Sequence, residues 1–500
     1  MRKDIVFLLF IFLLIKGILF VFLIPPWQGP DEPTHFEYIE KFLNDFNENG
    51  SSNVISSIID DSLKKDYLNL RDRTETRIED YKVQRDIVNS MFEFDFWRLT
   101  ERPPRFSELD DVEVFQHTSY ISSIPFGSEP LYFWITSKAI SIFGIATILG
   151  KLYLARILSM LLGLLIIFFI YLIAKQIIID SEERYFAFSA AAFAGFLPQF
   201  SFLSATVSSA NMANLICAAI TYVLILFIKD STKINQHSGN SPFFYIKLFL
   251  IISMILAGLF TKRSTLVIIP TAICSFFFLY EKNGGSFWSR LFYQGRILSL
   301  LLAAMFFSIL VLYLFDKSLI LNLYARLSPV FSNVYNFFNS ITNISPAIYF
   351  RTFSILFVSF WFSFGWMVYK MSVGWYVLFG AIALLSITGV CRLLYVEFAK
   401  NNDYTSKFNG KGIVVLSLLI VFTLFAIVAF RGPAYLEGSS IQGRFIFTAL
   451  PSIAILFMLG LQHKCPKSFK ENAMRILILY MLFLNGISIF KYLIPLFYLN

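Results

Sequence analysis

Hydrophobic and polar positions fall in long blocks along this chain and do not alternate residue by residue. Eleven apolar blocks approach the roughly 20 residues that a bilayer core demands of a helix: 5–24, 152–174, 185–204, 211–228, 245–261, 264–280, 297–315, 373–394, 412–430, 443–461 and 473–494. Two further apolar stretches, 131–149 and 352–369, are placed as juxtamembrane or re-entrant helices. The pattern predicts an all-α polytopic membrane protein with a bundle of about eleven transmembrane helices (range 10–13). The first block ends in Pro25-Pro26 without a small-residue cleavage site, so it is taken as an uncleaved span interrupted by Lys16.

The polar blocks are unequal. Residues 25–151 form a large first loop, and 316–372 a second long segment on the same side. Within the first loop, 60–87 carries charges of both signs and lacks Pro and Gly, which predicts a solvated helix. No repeat or low-complexity tract divides the chain, so 1–500 is expected to be a single membrane domain.

Composition and charge sharpen the class. Hydrophobic residues make up 57% of the chain and charged residues only 15%, against about 25% in soluble domains. The net charge of +9 lies mostly in one set of loops, including Lys175 and Arg184, Lys229 and Lys247, Arg392 and Lys411, and Lys464 and Arg475. Cytoplasmic loops carry such an excess, so the N-terminus is expected inside and both long segments outside. No nucleic-acid partner is needed to explain the charge. The four cysteines have neither metal-ligand spacing nor a place in the first loop's polar segment.

Candidate chemistry clusters on the predicted outer face. WQGPDEPTHFEYIEKF, residues 27–42, follows the first span. Pro33 suits a first helical turn, Asp31 an N-cap, and Phe36, Ile39, Phe42, Leu43 and Phe46 recur at helical spacing. An amphipathic helix over 33–46 lying on the membrane surface is expected. Asp31 and Glu32, with His35 one turn on, are candidates for a base or a divalent cation site (Mg or Mn). Helix capping explains the same spacing.

The second patch is RGPAYLEGSSIQGRFIFTALP, residues 431–451. Arg444, next to Gln442 and Gly443, enters an apolar block, where a charge is expensive and marks function by default. Arg binds phosphate through two parallel hydrogen bonds, although it also snorkels to head groups. Lys262 and Arg263 interrupt the stretch 245–280 and are a further phosphate-binding candidate or a simple turn. Weaker candidates are Glu129, Arg156, Asn211 and Asn214. FWFSFGWM, residues 360–367, suits an interfacial aromatic belt. There is no GxxxxGK[ST] loop and no GxSxG elbow.

PDEPTHF, EPLYFW, AGLFTKRSTLVIIP and QGRFIFTALP occur in this order. Together they resemble a bacterial family of predicted membrane proteins marked by PDEPxHF and QGRY. That family is similar to the GT-C superfamily of glycosyltransferases, which use polyprenyl-phosphate sugars on the outer membrane face. The resemblance implies that Asp31, with Glu32, corresponds to the first-loop acid acting as base or cation ligand. Where such family members carry Asn-Asn-Asp near the fourth span, this chain has SATVSSANMAN at 204–214, with Ala210 at the acid's place. If that acid serves a metal in the family, the resemblance implies that this ligand is absent here.

The expected function is transfer of a sugar from a polyprenyl-phosphate carrier to an envelope glycan, lipid or protein at the bacterial cytoplasmic membrane. Transport of lipid-linked saccharides and a non-catalytic role in envelope assembly are the alternatives. The topology is directly testable. An Asn235→Cys variant should resist an impermeant thiol reagent in intact cells, and labelling there would reverse the orientation.

Overall fold

The computed structural model describes residues 3–48, 86–96 in part, 130–178, 184–234, 242–279, 346–365, 369–399, 410–431, 441–465 and 470–499. The expected span 297–315, Glu129 and nearly all of the charged segment 60–87 lie outside these residues. Among the described residues strand-like pairing is confined to isolated positions, among them an antiparallel bridge between Phe364 and Tyr369. The rest is helical.

The helices run α1 Lys3–Leu23, α2 Glu32–Glu48, α3 Pro130–Phe143, α4 Ile148–Ile177, α5 Arg184–Gly195, α6 Pro198–Ser204, α7 Ser209–Ile234 and α8 Pro242–Leu259. A 3-10 turn, Arg263–Val267, leads into α9 Ile268–Leu279. Then come α10 Pro346–Trp361, α11 Val373–Ala399 and α12 Gly410–Arg431. A second 3-10 turn, Gly443–Ala449, opens α13 Leu450–Lys464, and α14 Lys470–Ile487 passes through a π turn into α15 Ile494–Tyr498.

Seven described helical stretches are long and apolar enough to cross a membrane. Three expected spans differ in form. Blocks 245–261 and 264–280 yield shorter apolar helices, Ile246–Leu259 and Arg263–Phe276. Block 185–204 is bent by 65° between α5 and α6. The cause is Pro198, whose ring and missing N–H stop a helix from continuing through it. The carbonyls freed at the bend are taken by side chains. Lys16 Nζ donates to the Gly195 carbonyl and to Ser201 Oγ, and Asn485 Nδ2 donates to the Phe196 carbonyl.

The surface helix expected over 33–46 is the largest departure. Residues 32–40 are buried without a break. Helix α2 packs against α3, and its apolar side chains join Trp27, Tyr132, Phe133, Leu152 and Val207 in a core of their own. The polar face is covered because its acids are paired: Glu37 with Lys41 at 2.9 Å and Glu40 with Lys151 at 2.9 Å.

Helices α11 and α13 approach most closely. A Cβ built on Gly389 would lie 2.0 Å from the Gly460 carbonyl oxygen, and one on Gly460 would lie 2.0 Å from that of Ser386. Small residues permit such contact between membrane helices. Gly460→Ala should therefore destabilise the bundle by about 1–3 kcal/mol, the usual cost of overpacking. Gly374→Ala, which meets nothing within 4 Å, should leave thermal unfolding in detergent unchanged.

Candidate functional site

The site begins with a turn held from below. Between α1 and α2 the chain reverses through WQGPDE, and two non-glycine residues there have left-handed backbones, Trp27 at φ 70° and Asp31 at φ 61°. Each such residue costs on the order of 1–3 kcal/mol and persists only where its surroundings fix it. Trp27 is fixed by an indole hydrogen bond to Ser90 Oγ at 3.0 Å and by an edge-on contact with Phe36.

Asp31 is fixed by its neighbour. Glu32 and Arg156 are both fully buried. Arg156 donates from Nε to Glu32 Oε1 at 2.8 Å and from Nη2 to Oε2 at 2.6 Å. Its remaining donors reach the carbonyls of Val21, Ile24 and Pro25 at 3.2, 2.6 and 2.8 Å. Glu32 accepts two more bonds, from the backbone N–H groups of Gly29 at 3.2 Å and Val207 at 3.0 Å. One ion pair thus joins the end of α1, the turn, α4 and the 205–208 loop. Arg156, one of the weaker site candidates, spends its donors inside the protein, and Glu32 faces away from Asp31's partner.

That partner is Arg444. Its Nη2 donates to Asp31 Oδ2, and its Nη1 donates to the Pro30 carbonyl at 3.2 Å. The two residues lie 413 positions apart. The Arg444 side chain is 12% exposed and that of Asp31 45%. Gly443 makes the approach possible. A Cβ there would fall 2.3 Å from the backbone nitrogen of Phe360, and the Gly443 N–H instead donates to Ser359 Oγ at 2.7 Å. Gln442 caps the same 3-10 turn and is partly buried.

Two more candidates act on this pair at a distance. Burial alone would raise the Asp31 pKa, but the Arg444 guanidinium, with Lys262 behind it, lowers it to about 2. Lys262 Nζ donates to Ser209 Oγ at 3.3 Å. His35 is buried and stacks on Phe133, ring centroids 5.6 Å apart, and does not hydrogen-bond Asp31. Burial and then the Lys262 charge push its pKa down to about 3, so the imidazole is neutral near pH 7. Its Nδ1 has no hydrogen-bond partner among the described residues.

The other candidates lie apart from these contacts. The Arg263 side chain is exposed, with no polar partner among the described residues. Asn211 is buried and donates to the carbonyls of Leu203 and Thr206 at 3.1 and 3.3 Å, shaping the loop that carries Val207. Asn214 is buried one turn further along α7. Sequence reasoning missed Ser359 and Val207, a hydroxyl and a backbone amide with no charge to mark them. It noticed Lys16 only as an interruption of the first span.

The described residues do not fit a divalent cation. Magnesium or calcium needs several convergent oxygen ligands. Glu32 is saturated by Arg156 and two amides, and Asp31 lies against a guanidinium. Among the described residues no three His, Cys, Asp or Glu side chains converge. No step through a metal is derived for this site.

The buried pair predicts a specific stability pattern. Arg156→Met alone, which strands the Glu32 carboxylate, should cost about 3–5 kcal/mol, whereas adding Glu32→Gln should recover part of that loss. Thermal unfolding of the three proteins in one detergent checks this, and equal loss in single and double variants would refute it.

No curated protein matches the chain. It is similar to two solved structures of ArnT from Cupriavidus metallidurans. The one bound to undecaprenyl phosphate is 13% identical with a TM-score of 0.25, over 68% of each chain. The apo structure is 12% identical with a TM-score of 0.23, over 67% of this chain and 66% of that one. The model of a family described as predicted membrane proteins (DUF2142) matches residues 13–453, a stretch that holds the PDEPTHF turn and reaches beyond the QGRF segment. Because that match includes both Asp31 and Arg444, nearly the whole apparatus described above lies within it, and the chain belongs to the DUF2142 family.

Proposed function

We propose that this membrane protein is a glycosyltransferase of GT-C type, moving a sugar from a polyprenyl-phosphate carrier to an envelope acceptor on the outer face of the bacterial cytoplasmic membrane. One observation carries the reading. Arg444 and Asp31, drawn from motifs 413 positions apart, meet at a partly open point above the apolar bundle. A carboxylate there can orient or deprotonate an acceptor hydroxyl. A guanidinium there can take up the negative charge that develops on a leaving phosphate. Lys262 adds a second cation close enough to shift Asp31. The basic loops of the opposite face support the outward orientation, and the order of the four motifs supports the transferase family. Glu32 and Arg156 hold the turn in place, and neutral His35 lines it.

A second reading has one specific observation behind it. Transporters use interrupted helices inside the membrane, with polar groups gathered at the break, and the α5–α6 bend, where Lys16 and Asn485 reach the carbonyls of Gly195 and Phe196, is an interruption with polar groups at it. Transport of a lipid-linked saccharide would depend on Lys16 and survive loss of Asp31, whereas transfer would not survive it.

The test follows label from a polyprenyl-phosphate sugar pool into envelope material in membranes carrying each variant. Asp31→Ala should abolish transfer at normal protein level. Arg444→Lys keeps the charge but loses the planar fork, and should slow transfer by about 10²–10³, the usual effect of removing one such contact. Wild-type transfer by Arg444→Lys would remove the phosphate-binding role.

A further inference from the structure

Two features stand outside the proposed chemistry. Lys16 is buried in α1, and a charged residue within an apolar span marks function by default. The start of FWFSFGWM, residues 360–364, suits an interfacial belt by composition but is buried throughout. Both features meet at α6, whose seven residues are all buried.

Lys16 staples the bend that sets α6 apart from α5. Its Nζ donates to the Gly195 carbonyl, at the end of α5, and to Ser201 Oγ on α6 at 2.6 Å. One amine thus holds both arms of the bend. Asn485 takes the Phe196 carbonyl between them.

From α6, contacts run to both halves of the site. Toward Arg444, Gln199 Oε1 accepts the Ser363 N–H at 2.6 Å, and Phe202 stacks on Phe364 with centroids 4.6 Å apart. Phe200 meets Phe447 of the QGRF turn edge-on at 5.7 Å. Phe360 packs on the same ring at 5.6 Å, next to the Ser359 hydroxyl that holds Gly443. Toward Asp31, Thr206 Oγ1 and Asn211 Nδ2 donate to the Leu203 carbonyl of α6 at 3.0 and 3.1 Å. The loop so fixed gives the Val207 N–H to Glu32. Thr206 also closes on Gly29, where an added Cβ would lie 2.6 Å from the Thr206 Cβ. One short buried helix therefore touches the supports of both Asp31 and Arg444. It reaches them through different atoms, so a tilt of α6 alters their separation.

We infer that the bent α5–α6 unit is the common frame of the Asp31–Arg444 pair, and that Lys16 is a positioning residue that sets the separation of the two by fixing the bend. The role in transfer rests on the transferase reading above, whereas the role in placing the pair does not. Lys16 then touches no substrate, and residues 360–364 are the wedge between α6 and the QGRF turn. Dependence on Lys16 alone does not argue for transport on this inference, but independence of Asp31 still does.

The test reads separation and turnover together, on the full chain in nanodiscs. Separation is the yield of a short bismaleimide crosslink between Asp31→Cys and Arg444→Cys, in a chain cleared of Cys217, Cys274, Cys391 and Cys465. Turnover is label transferred per folded protein by chains that keep Asp31 and Arg444. Lys16→Met removes the staple. Ser201→Ala is the milder change should that variant not fold, because it cuts the arm on α6 and leaves the one on Gly195. Ser275→Ala is the control, since its buried hydroxyl bonds within α9, to the Thr271 carbonyl. Each bend variant should lower the crosslink yield severalfold and slow turnover by about tenfold or more, because a misplacement of about 1 Å can cost about 10²-fold. The control should change neither. Unchanged yield or unchanged turnover in the folded bend variants overturns the inference. An equal fall in Ser275→Ala also overturns it, because the effect is then a general loosening of the bundle. If the original chain transfers no label, the transferase reading falls, and the crosslink yield alone decides whether Lys16 places the pair.

Discussion

The Glu32–Arg156 ion pair is the constraint on which the rest of the site depends. Two charges with no exposure are costly to bury, and only dense hydrogen bonding offsets that cost. Here the bonding is nearly complete, and each bond ends on a different piece of backbone. Arg156 takes carbonyls at and just beyond the end of α1, those of Val21, Ile24 and Pro25, where a helix end leaves such groups without partners. Glu32 takes the amides of Gly29 and Val207. The pair therefore does for this turn what a cap does for a helix, and it does so for two helix ends at once. The left-handed Asp31 backbone follows from it. With Glu32 pulled inward, the preceding residue has to turn out toward Arg444.

Much of this was visible in the sequence wherever charge met apolar context. Arg444 stood out because it enters an apolar block, and Asp31 because it sits between prolines at the end of a span. Their meeting bears out no chemistry by itself, but it puts two independently chosen residues in contact. The partner of Glu32 was not legible. Asp31 and Glu32 are adjacent and chemically alike, and only the packing of α4 against the end of α1 decides which faces inward. Arg156 stood only among the weaker site candidates for the same reason. Its apolar surroundings are explained by a carboxylate 124 positions away.

Helix α2 shows where pattern reasoning reaches its limit. Phe36, Ile39 and Leu43 have the spacing of one apolar stripe, and the helix they predict is present. The same pattern implied a polar face in water. That inference assumes that acids seek solvent, and Glu37 and Glu40 find Lys41 and Lys151 instead. The bend in block 185–204 was hidden for the opposite reason. The block is apolar throughout, so hydropathy runs straight across Pro198, although backbone chemistry does not.

The separation of Asp31 from Arg444 also sets a timetable. Chains are made at about 5–20 residues per second, so Arg156 follows Glu32 by roughly 6–25 s, whereas Arg444 follows Asp31 by roughly 20–80 s across their 124 and 413 positions. The inner pair can therefore close while most of the bundle is still unmade, and the outer pair waits until nearly every helix has been inserted. Until Arg444 is made, Asp31 has no guanidinium to pair with. Assembly of the site thus requires that the chain be threaded to its last helices, because a chain stalled before the QGRF segment lacks the guanidinium that completes it.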